Sequence, residues 1–381
     1  MKKFKLCVFP GDSLKALYEK GEVKARYYNP KNVFGEVHFI TFCEKDVEPE
    51  KVKAIVGNAR IFIHPLGKLK PWSLWTKRKL VLEKVKSISP DVIRAYTPSV
   101  HGFLASYCAR KLSVPFVLSL HINPEMDLRR LAWDRGDYKN WLKSAFLGLL
   151  AERRAVSSAD EIICVYDFSV PYARKHGGKN ITVIYNKVYA KNFSKAKPAL
   201  KLKEPGIISV GRLIAEKNPE PLIRALKILS QKRVDARLVL VGDGPLKKRL
   251  VSLTESLGVS DKVTFLPSVA NSKLPGYYKS CKIFAQSLEY GGISIPIIEA
   301  MAAGLPVVVS KAPYDPEREI SGEVGLIVDN TPQAFASAIQ RLLEDGKLYS
   351  RLKAKGLKKF KEIEGSKMEA REARIYSGYL R

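Results

Sequence analysis

Short, continuous apolar runs alternate with longer segments of helical periodicity along almost the whole chain. The runs at 5–9, 37–42, 61–64, 92–96, 116–120, 161–165 and 182–185 are rich in β-branched and aromatic residues. Their length and continuity predict strands buried on both faces. Between most of them lie helical patterns, such as 74–87, 102–112 and 141–158. The alternation pauses at KVYAKNFSKAKPALKLKEP (187–205), which is lysine-rich, holds two prolines and lacks periodicity, as a linker would. It restarts with strands predicted at 207–210, 237–241, 262–266, 282–285, 306–309 and 325–328, and with helices at 219–231 and 246–257.

Strand alternating with helix implies parallel sheets covered by helices on both faces. The fold class is therefore α/β, with two doubly wound, Rossmann-like domains. The expected boundaries are 1–188 for the first domain, 189–205 for the linker and 206–365 for the second domain. A Gly-Ser break at Gly365–Ser366 separates a last helix, 366–381. Ligands of such folds sit in the crevice at the carboxyl ends of the strands.

A length of 381 residues fits two domains, and 46% hydrophobic residues suffice for two cores. No apolar run approaches the ~20 residues that span a bilayer. The start, MKKFKLCVFPGD, reads as a first strand and not as a signal peptide. Five scattered cysteines (Cys7, Cys43, Cys108, Cys164, Cys281) with no C-x-x-C pair suit buried thiols in a reducing, cytoplasmic setting, without a zinc site. The net charge of +28 changes the picture more. It is spread as +15 over residues 1–190 and +13 over the rest, so it is not a basic tail. Such a field attracts polyanions: nucleic acid, anionic headgroups or phosphorylated small molecules. It also fits a plain lysine-rich surface. No nucleic-acid-binding module or compact basic arm accompanies it, so no specific nucleic acid is expected as a partner.

The chemistry concentrates between Gln286 and Ser310, QSLEYGGISIPIIEAMAAGLPVVVS. It reads as a strand end, a loop with Gly291, Gly292 and Ser294, a helix over 295–303 and a buried strand. Pro296 in the first helical turn loses no hydrogen bond, Gly304 suits a helix C-terminus, and Pro306 stops continuation. Free N–H groups at the helix start suit an anion, and Glu299, one turn in, suits a diol beside it. The same pattern also describes an ordinary strand-loop-helix unit with a solvated glutamate. In the stretch SVGRLIAEKN (209–218), Gly211 permits a tight turn, and Arg212 and Lys217 leave a strand end five residues apart. A fork-shaped cation and a point charge suit a diphosphate.

The segment EAMAAGLPVVVS, Glu299 to Ser310, resembles the signature of the retaining family-4 glycosyltransferases of the GT-B fold (glycosyl transferases group 1). That family carries E-x-F-G-x-x-x-x-E around its donor loop. Here Glu299 keeps the second glutamate, Gly291 stands at the first, Ser294 stands where glycine is usual, and Glu289 lies two residues upstream. SVGRLIAEKN resembles the family segment V-G-R-L-x-x-x-K-(G/N), LVLVGDGP (238–245) its next motif, and PFVLSLH (115–121) its strand ending in histidine. The resemblance implies two domains facing a central cleft and a last helix returning to the first domain. It implies a nucleoside-diphosphate sugar as donor, with Arg212 and Lys217 on the diphosphate and His121 at the sugar. Gly211, Glu289, Gly291, Gly292, Ile293, Ser294, Ile295 and Glu299 would form the rest of the donor pocket, and backbone near Val269 would read the base. Gly242 and Gly244 are expected as structural turn residues. No D-x-D motif occurs, so metal-independent transfer is expected, with no cofactor beyond the donor.

The acceptor is open: a glycan, a lipid-linked molecule or a small molecule. Two patches bear on it, KLKPWSLWTKRK (68–79), with Trp72 and Trp75, and the stretch 133–150, with Trp133, Trp141 and AFLGLL. Rings beside lysines suit peripheral contact with an anionic membrane, at its inner face for a cytoplasmic protein; they equally suit helix starts and core packing. A rival reading is a nucleotide-sugar- or polyanion-binding protein without transferase activity.

Overall fold

The computed structural model describes residues 4–70, 72–288, 295–311 and 324–380. The chain forms two compact units, Met1–Tyr185 with Ser366–Arg381, and Asn186–Gly365. The first unit is built on β1 (Lys5–Phe9), β2 (Glu36–Thr41), β3 (Arg60–Pro65), β4 (Val92–Ala95), β5 (Phe116–Leu120), β6 (Glu161–Cys164) and β7 (Ile181–Val183). They pair in the order β3-β2-β1-β4-β5-β6-β7, parallel throughout. The second unit holds β8 (Gly206–Val210), β9 (Arg237–Val241), β10 (Val263–Leu266), β11 (Ile283–Gln286), β12 (Val307–Ser310) and β13 (Gly325–Val328). Their order is β10-β9-β8-β11-β12-β13, again parallel.

The predicted strands form because both faces of these sheets are covered. Nearly every residue of β1, β2, β4, β5, β9, β11 and β12 is buried. Each sheet reverses its strand order once, between β1 and β4 and between β8 and β11. At such a reversal, successive loops leave to opposite sides and open a crevice at the carboxyl ends.

Three segments differ from expectation. The helix expected at 74–87 is two, Ser73–Thr76 and Arg78–Ile88. The helix expected at 141–158 begins earlier, at Tyr138, because the Asp137 side chain caps it by accepting from the Asn140 N–H. It then widens to π geometry at Gly148–Glu152 before closing as Arg153–Ser157. The stretch expected as a linker, 189–205, is instead tied into the second unit. It carries the helix Ala190–Ser194, and the N–H groups of Ala199 and Leu200 donate to the Gly276 carbonyl (3.0 Å) and the Ser280 hydroxyl (2.9 Å).

The last helix, Gly365–Tyr379, belongs to the first unit through buried charge. Arg94 on β4 pairs with Glu372 and donates to Tyr376, while its other terminal nitrogen donates to Ser119 on β5 (2.8 Å). Arg26 pairs with Glu369 at 2.9 Å, and the Lys31 N–H donates to the same carboxylate. Tyr376 is wholly buried, edge-on to Phe34. Arg94→Ala leaves Glu372 buried without its cation, and urea unfolding should record a loss of about 3–5 kcal/mol. Replacing both partners, Arg94→Met with Glu372→Leu, should cost clearly less. A single-mutant loss below ~1 kcal/mol, the ordinary worth of an exposed pair, would mean this pair does not anchor the helix.

Candidate functional site

In the second unit the crevice at the β8/β11 reversal begins with a close backbone approach. The loop after β8 crosses the end of β9: the Gly211 N–H donates to the Val241 carbonyl at 3.0 Å and the Leu213 N–H to the Asp243 carbonyl at 2.9 Å. A Cβ at Gly242 would overlap the Gly211 carbonyl oxygen, and one at Gly244 would overlap that of Leu213. Only glycine fits either place, which gives both the structural role expected of them.

The crossing sets out the cations. Arg212 is exposed and makes no ion pair among the described residues. Lys217 ends a 3-10 turn, Ala215–Lys217, and folds back over Gly211. Its Cδ lies 3.2 Å, and its Nζ 3.9 Å, from where a Cβ on Gly211 would sit. Gln286, buried at the end of β11, donates to the Val210 carbonyl at 3.2 Å and joins the two strand ends that flank the crevice. Past it, Ser310 pins Leu288 twice, accepting from its N–H at 2.7 Å and donating to its carbonyl at 3.0 Å. Ser287 donates to Asn330 at 2.7 Å. These bonds tie the chain at Ser287 and Leu288 to the ends of β12 and β13.

Glu289, Gly291, Gly292, Ile293 and Ser294 lie outside the described residues. The chain resumes at Ile295, the first residue of the helix Ile295–Ala303. Ile297, Ile298, Ala300 and Met301 are buried, so the helix is held by its apolar side chains. Glu299 is buried with them, and its Oε2 accepts a hydrogen bond from Tyr278 at 2.9 Å. Burial and the neighbouring Glu299 carboxylate push the Tyr278 phenol well above its ordinary range, so it stays a donor. Val269 lies half-buried in the loop after β10, at the same carboxyl edge of the sheet.

His121 belongs to the first unit, directly after β5. Its ring stacks on Tyr96, directly after β4, at 5.2 Å. Tyr96 lies under the Arg94 guanidinium, 4.4 Å from its ring centre. His101 is the second residue of the helix Val100–Leu112 after β4, and its Nδ1 is buried without a hydrogen-bond partner. Burial lowers its pKa from the ordinary 6.5 to about 4, with Asp12 opposing. Among the described residues no three His, Cys, Asp or Glu side chains are grouped to hold a metal ion.

Thus Gly211, Arg212, Lys217, Ile295, Glu299 and Val269 belong to one unit, most of them around one strand reversal, and His121 to the other. The sequence reading missed Tyr278, Gln286 and Ser310. Only a buried hydroxyl closing the apolar run VVVS gave any signal, for Ser310.

Two family models cover most of the chain: "Glycosyl transferases group 1" matches residues 190–359 and "Glycosyltransferase Family 4" matches residues 35–190. A GDP-mannose-dependent alpha-(1-6)-phosphatidylinositol monomannoside mannosyltransferase of Mycolicibacterium smegmatis is 32% identical over 37% of this chain and 39% of its own length. The N-acetylgalactosamine-N,N'-diacetylbacillosaminyl-diphospho-undecaprenol 4-alpha-N-acetylgalactosaminyltransferase of Campylobacter jejuni is 34% identical over 52% of this chain and 53% of its own. The matches thus span about two fifths to about half of those relatives. Among solved structures, Anabaena HepE in complex with UDP superposes with a TM-score of 0.73 at 18% identity, covering 98% of this chain and 100% of that one. The sucrose-phosphate synthase of Thermosynechococcus elongatus gives 0.69 at 17%, covering 99% of both. These likenesses establish the fold.

Tyr278→Phe removes a hydrogen bond to a buried carboxylate and should cost about 1.5–3 kcal/mol in urea unfolding. An unchanged midpoint would show that Glu299 does not depend on Tyr278. For His101, the folded state binds fewer protons than the unfolded state between its native pKa of about 4 and its ordinary 6.5. Its contribution to stability is therefore intact above pH ~6.5 and falls as pH drops towards ~4. The stability of His101→Phe relative to wild type should rise over that window; a difference independent of pH would contradict the assigned burial.

Proposed function

The chain belongs to the family-4 glycosyltransferases of the GT-B fold, and from that premise we propose that it moves a sugar from a nucleoside-diphosphate sugar to an acceptor hydroxyl, with retention of anomeric configuration and without a metal ion. The observation that carries this reading is the pair of cations, Arg212 and Lys217, on the loop leaving β8 at the strand reversal.

In this reading the diphosphate lies over Gly211. The Arg212 guanidinium and the Lys217 ammonium meet the charge that grows on it as the sugar leaves. The positive end of the helix Ile295–Ala303 adds to them. Glu299, held by Tyr278, takes the ribose hydroxyls, and backbone near Val269 takes the base. The family resemblance alone assigns Glu289, Gly291, Gly292, Ile293 and Ser294, which lie outside the described residues, and His121 of the first unit to the sugar. The bond between the anomeric carbon and the phosphate oxygen breaks. The acceptor oxygen bonds to that carbon on the same face, and its proton passes to the departing phosphate oxygen. No side chain of this set is needed as a nucleophile.

Support for a lipid-linked acceptor comes from two relatives whose names specify phosphatidylinositol monomannoside and diphospho-undecaprenol. An enzyme with such an acceptor would work at a membrane surface, here the inner face of a cytoplasmic membrane. Gly291, where the family has glutamate, favours a second reading: a nucleotide-sugar-binding protein without transferase activity.

The test is a thermal-shift panel of UDP-, GDP- and ADP-sugars, with and without EDTA, followed by detection of released nucleoside diphosphate. Ligand that binds only the folded state raises its melting temperature. One nucleotide class should shift wild type, EDTA should leave the shift unchanged, and Arg212→Ala should weaken it and lower turnover by about 10²–10³. Near-normal turnover of Arg212→Ala would remove it from the reaction. A shift without any product release, even with lipid-linked acceptors, would favour the binding reading.

A further inference from the structure

The first unit carries an apolar face that its own fold leaves uncovered. In the segment 125–157, Tyr138, Leu142, Phe146 and Leu149 recur at intervals of four, four and three residues and are 60%, 64%, 49% and 79% exposed. That spacing places them along one side of a helix, over roughly 16 Å. Trp133, 52% exposed, packs edge-on against Tyr138 (5.4 Å) and Trp141 (5.3 Å) and extends the stripe. Other positions of the same segment face inward, where Gly148, Ala151, Glu152, Ala155 and Val156 are buried. A core helix exposes no such stripe, so core packing does not account for it.

Buried polar contacts tie the segment to its unit. Buried Glu152 accepts from Arg129 at 3.0 Å and from the Tyr172 hydroxyl at 2.6 Å. The acidic side chains are all engaged within the unit: Glu125 with Lys175 and His176, Asp127 at the Asn123 N–H, Asp134 with Arg130, and Asp137 at the helix cap. By contrast, Lys139, Lys143, Arg153 and Arg154 are exposed and make no ion pair among the described residues. An apolar stripe with exposed cations beside it is complementary to an anionic lipid surface. Apolar side chains enter the acyl boundary and the cations meet the headgroups. The same unit exposes Trp72 and Trp75, with the Lys70 ammonium 5.5 Å from the Trp72 ring centre. No helix among the described residues is long and apolar enough to cross a membrane.

We infer that the 125–157 segment docks the first unit on an anionic bilayer, with Trp133, Tyr138, Leu142, Phe146 and Leu149 inserted and Lys139, Lys143, Arg153 and Arg154 at headgroup level. This assigns residues to the membrane contact that a lipid-linked acceptor would need. Vesicle binding reads it without any sugar transfer, so its failure and that of the transferase reading are separable.

The experiment is co-sedimentation of the full chain with phosphatidylcholine vesicles and with phosphatidylcholine–phosphatidylglycerol vesicles. Wild type should bind the anionic vesicles at least ~10-fold more tightly. Leu142→Asp/Phe146→Asp should lose that binding while keeping the wild-type melting temperature and nucleotide-sugar shift. Lys143→Glu/Arg154→Glu, altered only at exposed cations, should lose it too and carries the test if the first variant melts early. Wild type left in the supernatant with both vesicle types overturns the inference, as do folded variants that sediment like wild type. Wild type that ignores vesicles but forms a dimer dissolved by Phe146→Asp also overturns it, and gives the stripe to a second copy of the chain.

Discussion

The second unit of this molecule depends on one steric constraint: two backbones meet where no side chain fits. The loop after β8 lies across the end of β9 because Gly242 and Gly244 leave room for the carbonyls of Gly211 and Leu213. Four hydrogen bonds between the two loops and the neighbouring strands hold that crossing: Gly211 to Val241, Leu213 to Asp243, Leu246 to Leu213 and Gly242 to Leu266. The crossing lays Arg212 and Lys217 at the carboxyl end of the sheet. β11 supplies the other wall, joined to β8 by the Gln286 amide. The backbone of the crossing thus fixes where both cations leave the sheet.

Much of this was legible in the chain. Thirteen strands lie near their expected places because a parallel sheet covered on both faces demands continuous β-branched runs, and few other structures do. The helix Ile295–Ala303 has the expected bounds, since Pro296 and Gly304 mark its two ends. What was not legible depends on partners distant in sequence. Tyr278 reads as one tyrosine in LPGYYK; only the fold brings it to Glu299, 21 residues on. Lysine-rich sequence resembles a linker whether or not Gly276 and Ser280 receive its N–H groups. The π turns at Gly148–Glu152 coincide with a buried glutamate, which periodicity treats as a surface residue.

Charge has different work in the two units. In the first, part of it is paired with buried carboxylates: Arg94 with Glu372, Arg26 with Glu369 and Arg129 with Glu152. In the second, Arg212 is exposed and Lys217 half-buried on the loop leaving β8. The excess of +28 is therefore not one uniform field with one purpose. Part of it is surface, part lies on the loop leaving β8, and part lies beside the apolar stripe of the first unit.

In the proposed reading the loop over Gly211 recognises a diphosphate. Isothermal titration of a nucleoside diphosphate and the matching monophosphate, against wild type and Lys217→Ala, tests it most directly. Wild type should prefer the diphosphate by about tenfold or more, as a charge-assisted contact to the second phosphate requires. In Lys217→Ala that preference should collapse while monophosphate affinity holds. Equal affinity for both nucleotides in wild type, or a preference that survives in Lys217→Ala, would contradict the account.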